Sequence, residues 1–146
     1  MDITVNTEVK YLVSKVVINA VKIEMMNGKL QFVAPYAWID AAGKVLRRGL
    51  HQTDEDGLSA LGAGAAASLP IIKGLLPEGK YPFVMVNFDQ TGVVTDMQQH
   101  GMQTVDGKDT WVHVSSTPEE LALKIAPLTL EQLSGMIQGM TVQVLG

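Results

Sequence analysis

The chain contains no cysteine among its 146 residues, so disulfide bridges, zinc sites built on thiolates and cysteine nucleophiles are excluded together. Charged residues are also scarce. Asp, Glu, Lys and Arg make up 18% of the sequence, below the roughly 25% typical of soluble domains. Hydrophobic residues make up 47%. A surface with few charges is suited to contacts between subunits.

The sequence has neither an excess of basic residues nor a long apolar run. Its net charge is −4 and its pI is about 5.2, which gives no general attraction for the phosphates of nucleic acid. The one basic cluster, Lys44, Arg47 and Arg48, is predicted to lie on a solvated strand edge. The opening residues, MDITVNTEVKYLV, start with an acid and alternate like a strand, so we expect no signal peptide.

The first third of the chain has the pattern of an antiparallel meander. Asn27-Gly28 supplies the positive φ angles of a two-residue hairpin turn. The strand that follows, residues 29–39, contains Pro35, which has no N–H for a sheet ladder. This strand is therefore predicted to lie at an edge or to be bulged at Pro35. A turn at residues 40–43 and a strand at residues 44–52 complete the meander.

The second half predicts more hairpins and then two helices. Residues 81–88 are a continuous apolar run suited to a central strand. A turn at residues 89–92 leads to a strand at residues 93–99, and a further hairpin follows with strands at residues 100–105 and 110–116. Thr117 and Thr129 each begin a helix with a capping sequence. The pattern therefore predicts one compact α+β domain over residues 1–146. Its parts are one or more antiparallel sheets built from β-hairpins, one central Gly/Ala-rich helix and two short C-terminal helices, followed by a possible edge strand at residues 141–145.

The central stretch LSALGAGAAASLPIIKGLLPEG, residues 58–79, fits two functional motifs only formally. Residues 62–67 match the glycine pattern of dinucleotide-binding loops, but no buried strand precedes them and three acidic residues do. Residues 58–72 carry no charge, yet they are shorter than the ~20 residues that span a bilayer. We therefore expect neither a phosphate site nor a membrane span.

An ordinary helix explains this stretch better. Thr53 is a plausible N-cap, and three acids in the first turn suit the helix dipole. One face, formed by Ala60, Gly64 and Ala67, has almost no side chain. Each glycine costs about 1 kcal/mol in a helix interior, and close approach of another backbone, from this chain or from a neighbouring subunit, would compensate for it. The predicted interface residues are Pro35, Ala60, Gly64, Ala67, Met136 and Met140.

Histidines are the only conventional candidates for catalysis or metal binding. A two-residue turn at Asp106-Gly107 would place His100 opposite His113, about 5 Å apart at Cβ, with Met102 and Trp111 on the same face. A four-residue loop would instead place Met102 opposite His113. His100 and His113 are weak candidates for metal ligands, because Asp96 is the one further residue that could serve as a third ligand. Two histidines opposite each other are also typical of an ordinary sheet face. We predict no cofactor.

The segment WIDAAGKVLRRGLHQTDEDGLSALG, residues 38–62, combines a strand, a tight turn, a second strand and an acid-capped helix of small residues. In this segment, about a sixth of the chain, the protein resembles accessory proteins of tailed bacteriophage particles: head decoration, neck or tail-completion subunits. The resemblance implies a repeated, non-catalytic subunit held by sheet edges and hydrophobic patches. It assigns no functional residue. It implies a place in the virion if the protein is phage-encoded, and otherwise we expect the cytoplasm.

Three functions are compatible with these patterns. The first is a structural or assembly protein that acts by association with itself or with neighbouring structural proteins, without a cofactor, nucleic acid or membrane span. The alternative is a small-molecule or peptide-binding module with a pocket lined by Tyr36, Trp38 and Trp111. The third is a hydrolase or metal-dependent enzyme that uses His100 and His113.

Overall fold

The structure, a computed structural model, describes residues 15–89 and 92–145 as seven strands and four helices. The strands are β1 (Lys15–Ile18), β2 (Ala20–Met26), β3 (Lys29–Ile39), β4 (Val45–Asp54), β5 (Lys80–Phe88), β6 (Val94–Val105) and β7 (Lys108–Ser116). The helices are α1 (Glu55–Ser59), α2 (Ala63–Lys73), α3 (Pro118–Ile125) and α4 (Leu130–Leu145). The predicted α+β class is confirmed. The predicted strand before residue 15 and the middle of the predicted turn at residues 89–92 lie outside the described residues.

All seven strands join one antiparallel sheet. Two meanders, β2-β3-β4 and β5-β6-β7, meet where β2 pairs with β5. β1 continues the line of β2 along the same side of β3. Within the described part of the chain, β4 pairs only with β3 and β7 pairs only with β6, so these are the two long edge strands. The short strand β1 also pairs only with β3.

The two predicted two-residue turns are present. Asn27 and Gly28 have φ angles of 52° and 79°, and Asp106 and Gly107 have 51° and 78°. Positive φ at both central positions is the geometry whose twist matches that of the flanking strands. The turns set the registers Met26↔Lys29 and Val105↔Lys108.

Pro35 lies inside the sheet, so the prediction of an edge position is wrong. An irregularity in pairing does occur at Pro35, but the extra residue lies on the neighbouring β1–β2 line and not in β3 itself. β3 has neighbours on both sides. Ile18 pairs with Tyr36 and Lys22 pairs with Val33, so three residues on the β1–β2 line stand opposite two on β3 at this point. The carbonyl of Asn19 turns to the other side and accepts the Phe88 N–H of β5 at 2.7 Å.

The helices pack on one face of the sheet. Alternate residues of the central strands point into this face and are fully buried. The core is formed by these strand residues together with one or two residues from each helix: Val21, Ile23, Leu30, Phe32, Val84, Val86, Leu58, Ile72, Leu121, Ile125, Leu133 and Ile137. The other face of the sheet therefore has no helix on it among the described residues.

The Gly/Ala-rich stretch forms two helices, so the prediction of one central helix is wrong. Gly62 has φ +138°, a value open to glycine, and it separates α1 from α2. Pro70 does not end α2, because Ile72 anchors the last turn in the core. The N-cap is Asp54, not Thr53: its carboxylate accepts the N–H groups of Asp56 and Gly57. Thr53 still belongs to β4.

The C-terminal part differs from the prediction in two places. Residues 94–105 form one continuous strand, where two were predicted. α4 continues to Leu145, so it is not short and the predicted edge strand at residues 141–145 is wrong. Extending an existing helix costs less free energy than starting a new element. This advantage outweighs the preference of the valines for a strand. Both predicted capping sequences, at Thr117 and Thr129, form. No helix in the described ranges has both the length and the apolar character needed to cross a bilayer.

Candidate functional site

The face of the sheet opposite the helices, here called the open face, carries the residues that alternate with the core. Its β5–β7 part contains Phe83 and Met85 on β5, Gln98, His100 and Met102 on β6, and Trp111, His113 and Ser115 on β7. Its β2–β4 part contains Lys22, Glu24, Val33 and Leu50. No helix among the described residues covers these side chains.

A row of stacked rings crosses the open face. The His113 and His100 rings are 4.5 Å apart with planes 12° from parallel, and the His100 and Phe83 rings are 4.6 Å apart at 11°. Lys22 Nζ continues the row 4.8 Å from the Phe83 ring centre, and it pairs with Glu24 at 3.2 Å. The predicted pairing of His100 with His113 is confirmed, and the alternative with Met102 opposite His113 is wrong.

Trp111 flanks this row on β7. Its ring centre is 5.9 Å from those of Phe83 and His100, and 47% of the residue is exposed. Met102 lies directly opposite Trp111, as predicted for the two-residue turn. Phe83 and Lys22 were not predicted as parts of this cluster, because the pairing of β5 with both β2 and β6 leaves no local signal in the sequence.

The electrostatics of the row favour a neutral imidazole at His100. Burial, and to a smaller extent the charge that His113 can carry, lower the pKa of His100 below its ordinary value of 6.5. His100 Nδ1 is buried and has no hydrogen-bond partner. His100 Nε2 is 3.4 Å from Gln98 Oε1, and His113 Nε2 is 3.4 Å from Ser115 Oγ. These surroundings therefore disfavour the protonated form of His100.

The two histidines do not form a ligand set of ordinary metal geometry. Their Nε2 atoms face Gln98 and Ser115, which are neighbours on adjacent strands, and so point in the same direction. Asp96 is engaged elsewhere, where it accepts from Asn87 at 3.1 Å and from Gln98 at 3.3 Å. Across the described residues, no three His, Asp or Glu side chains come close enough to hold a metal ion.

The two sheet edges differ in character. The outer side of β7 carries no Asp, Glu, Lys or Arg from Thr110 to Ser116, and Trp111 and Val114 are each 47% exposed. The β4 edge, by contrast, exposes Arg47 and Arg48 and is preceded by the exposed Lys44, as predicted for this basic cluster. Leu50 of β4 is 65% exposed.

A second surface lies in the helical layer, between α2 and α4. A hollow of about 450 Å³ is lined there by Gly64 and Met136, two of the predicted interface residues. Ala67 lines an adjoining hollow. A Cβ atom at Gly64 would meet no atom within 4 Å, so no backbone of the described residues packs against it. Within the described residues the same-chain explanation for this glycine therefore finds no support, and the neighbouring subunit stays a prediction.

The remaining predicted interface residues lie apart from this hollow. Ala60 is exposed just after α1. Pro35 is exposed on the open face, on the other side of the sheet. Met140 belongs to α4, but its side chain is outside the described part. The structure thus brings Gly64, Ala67 and Met136 together and separates them from Pro35.

The predicted aromatic pocket is not formed. Tyr36 packs against the core on the helix face, and Trp38 is two residues along on the same face of β3. Trp111 lies on the open face of β7, four strand positions away, which is roughly 19 Å at the usual strand spacing. Arg47 instead covers Trp38, with the guanidinium 5.1 Å from the ring centre.

No protein-family model matches the chain, and no curated protein or solved structure is significantly similar to it. The open face, the two sheet edges and the α2–α4 hollow are the features from which a function can be inferred.

Proposed function

We propose that the protein is a non-catalytic structural or assembly subunit that acts by association with other protein subunits, either copies of itself or neighbouring structural proteins. One observation carries this proposal: the sheet ends in two long strands that expose apolar side chains. β4 has 10 residues and exposes Leu50, and β7 has 9 residues and exposes Trp111 and Val114.

A strand edge without a neighbour favours association with another strand. Each edge presents N–H and C=O groups that can accept another strand, and proteins that stay monomeric usually blunt such edges with charge, proline or a bulge. β7 has none of these between Thr110 and Ser116. Pairing with another strand would satisfy the backbone groups and bury the exposed apolar side chains in one step.

The setting we propose is a bacteriophage particle. The support for it is the resemblance of residues 38–62 to phage accessory proteins, which work as repeated subunits bonded through sheet edges and hydrophobic patches. In the structure, this segment contains the edge strand β4 and the capped helix α1. The protein would then be located in the virion.

The native mass tests the proposed function. Light scattering after size exclusion, over a wide range of protein concentration, should give a multiple of 15.7 kDa or a complex with a co-purified protein. Cross-linking before lysis should trap the same species. A monomer at every concentration, with nothing cross-linked to it, would contradict the proposal.

A further inference from the structure

We propose that the partner is a second copy of this chain, and that the two copies join by antiparallel pairing of their β7 strands. This inference rests on the proposed function, and it names the partner and the contact. The result is one continuous sheet with a two-fold axis across the joined strands, because an antiparallel edge is complementary to itself.

The charges of the two edges favour β7 over β4. The β4 edge carries Arg47 and Arg48 next to Lys44, and its pairing with β3 shifts register between Trp38 and Ile39. Clustered cations and a bulge are the devices that keep strand edges apart. On β7 the segment Thr110–Ser116 has neither, and its β-branched and aromatic side chains suit a strand surface.

The face pattern and the length of β7 select a register centred on Val112. With Val112 opposite Val112 of the partner subunit, all 9 residues of β7 find a partner. A shift by one residue would place the open face of one copy on the helix side of the other. A shift by two residues, centred on His113, leaves fewer pairs and sets His113 against the partner's His113.

This register completes the stacked row. Trp111 comes to lie opposite the partner's His113, whose ring stacks on its own His100 at 4.5 Å. Each row thereby gains the partner's Trp111 ring at its His113 end, and the half-exposed Trp111 is covered. Val114 comes to lie opposite the partner's Thr110, which covers the other exposed large apolar side chain of the strand.

No two charged residues of β7 lie opposite each other in this register. Lys108 lies opposite the partner's Ser116, and Asp109 lies opposite the partner's Ser115. The helix that follows β7 does not block the edge, because Lys124 of α3 is tied back over the sheet. Its Nζ donates to Gln99 of β6 at 3.0 Å and to Ser116 at 2.8 Å.

A cysteine introduced at the axis tests the pairing directly, since the chain has no cysteine of its own. In Val112→Cys, the two Cα atoms would be about 4.5–5.5 Å apart, within the range that a disulfide bridges. We expect mild oxidation to convert most of this variant to a covalent dimer. Thr110→Cys is the matched control, because its two copies would lie roughly 13 Å apart and should stay reduced.

Charge on the edge gives a second readout. Val112→Lys sets two ammonium groups opposite each other and should weaken the dimer at least about tenfold by light scattering. Leu50→Lys places the same charge on the β4 edge and should leave the dimer unchanged. Circular dichroism of both lysine variants separates weakened association from unfolding. The Val112→Cys experiment is an independent test, because it adds no charge to the edge.

The outcomes separate this inference from the proposed function. A wild-type oligomer in which Val112→Cys does not cross-link, or in which only Leu50→Cys does, overturns pairing through β7 and leaves assembly in place. A wild-type monomer at all concentrations overturns both. Cross-linking at residue 112 but not at residue 110, with loss of the dimer in Val112→Lys, supports the β7 contact.

Discussion

His100 and His113 stack across β6 and β7 with ring centres 4.5 Å apart and planes 12° from parallel. Two imidazoles in this position cannot both carry a proton without repulsion, and Lys22 adds a third positive charge at the far side of Phe83. The row therefore disfavours a proton on His100. The stability of the folded chain should therefore depend on pH through this stack.

The first prediction concerns the pH dependence of stability. The unfolded chain binds a proton on His100 at its ordinary pKa of 6.5, whereas burial and His113 lower the pKa of the folded state. The contribution of this difference to stability is fully present above about pH 6.5 and is lost as pH falls from there toward the folded pKa. Urea denaturation at about pH 7.5 and about pH 5.5 measures it.

His100→Phe is the matched variant, because a phenyl ring keeps the stack and has no proton to gain. We expect a smaller loss of unfolding free energy on acidification than in the wild type. Some loss should remain, since burial also lowers the pKa of His51. Equal losses in wild type and variant would show that the stack does not resist protonation.

The second prediction concerns Gly49, which lies directly opposite Tyr36 on the neighbouring strand. A Cβ atom at Gly49 would be 2.6 Å from Tyr36 Cζ and Oη. Gly49→Ala should therefore lower the unfolding free energy by about 1–3 kcal/mol, the usual cost of overpacking. The Tyr36→Leu background should remove much of this penalty, and a double-mutant cycle measures the coupling. Independent effects would exclude the clash.

Features that depend on a few neighbouring residues could be predicted from the sequence. The turns at Asn27-Gly28 and Asp106-Gly107 need only their own positive φ angles, and the pairing of His100 with His113 follows from the second turn by counting. The capping sequences at Thr117 and Thr129 are equally local. Each of these features depends on only a few neighbouring residues, and each is present in the structure.

Features set by distant contacts could not be predicted. The break at Gly62 and the passage of α2 through Pro70 depend on where Leu58 and Ile72 enter the core. Phe83 joins the histidine row only because β5 pairs with β6 in one register. Tyr36 and Trp38 share the helix face of β3, and the strand order places Trp111 four strand positions away, on the open face. Local patterns carry no information on strand order.

The third prediction concerns the helix cap at Asp54. Its carboxylate oxygen accepts the N–H groups of Asp56 and Gly57 at 3.0 and 3.1 Å. Asp54→Ala leaves both donors without this partner and should cost about 1 kcal/mol of unfolding free energy. Asp54→Asn retains a capping oxygen and should cost much less. If thermal or urea denaturation gives the two variants the same stability, the cap contributes nothing measurable.

The fourth prediction concerns Gly64, where the added Cβ meets nothing within 4 Å and φ is not positive. Gly64→Ala should raise the unfolding free energy by up to about 1 kcal/mol, because alanine is the better helix former. Gly107 is the matched control. It has the same open space but φ +78°, so Gly107→Ala should lower stability instead.

Gly64→Leu then separates folding from association. The α2–α4 hollow of about 450 Å³ has room for a side chain at this position, so the variant should fold with circular dichroism like that of the wild type. If a neighbouring subunit packs against Gly64, the new side chain occupies its place and the native mass should fall. If the mass is unchanged, no neighbour approaches this helix, and association must use another surface. The edge of β7, whose outer backbone groups have no partner strand among the described residues, is the surface we propose.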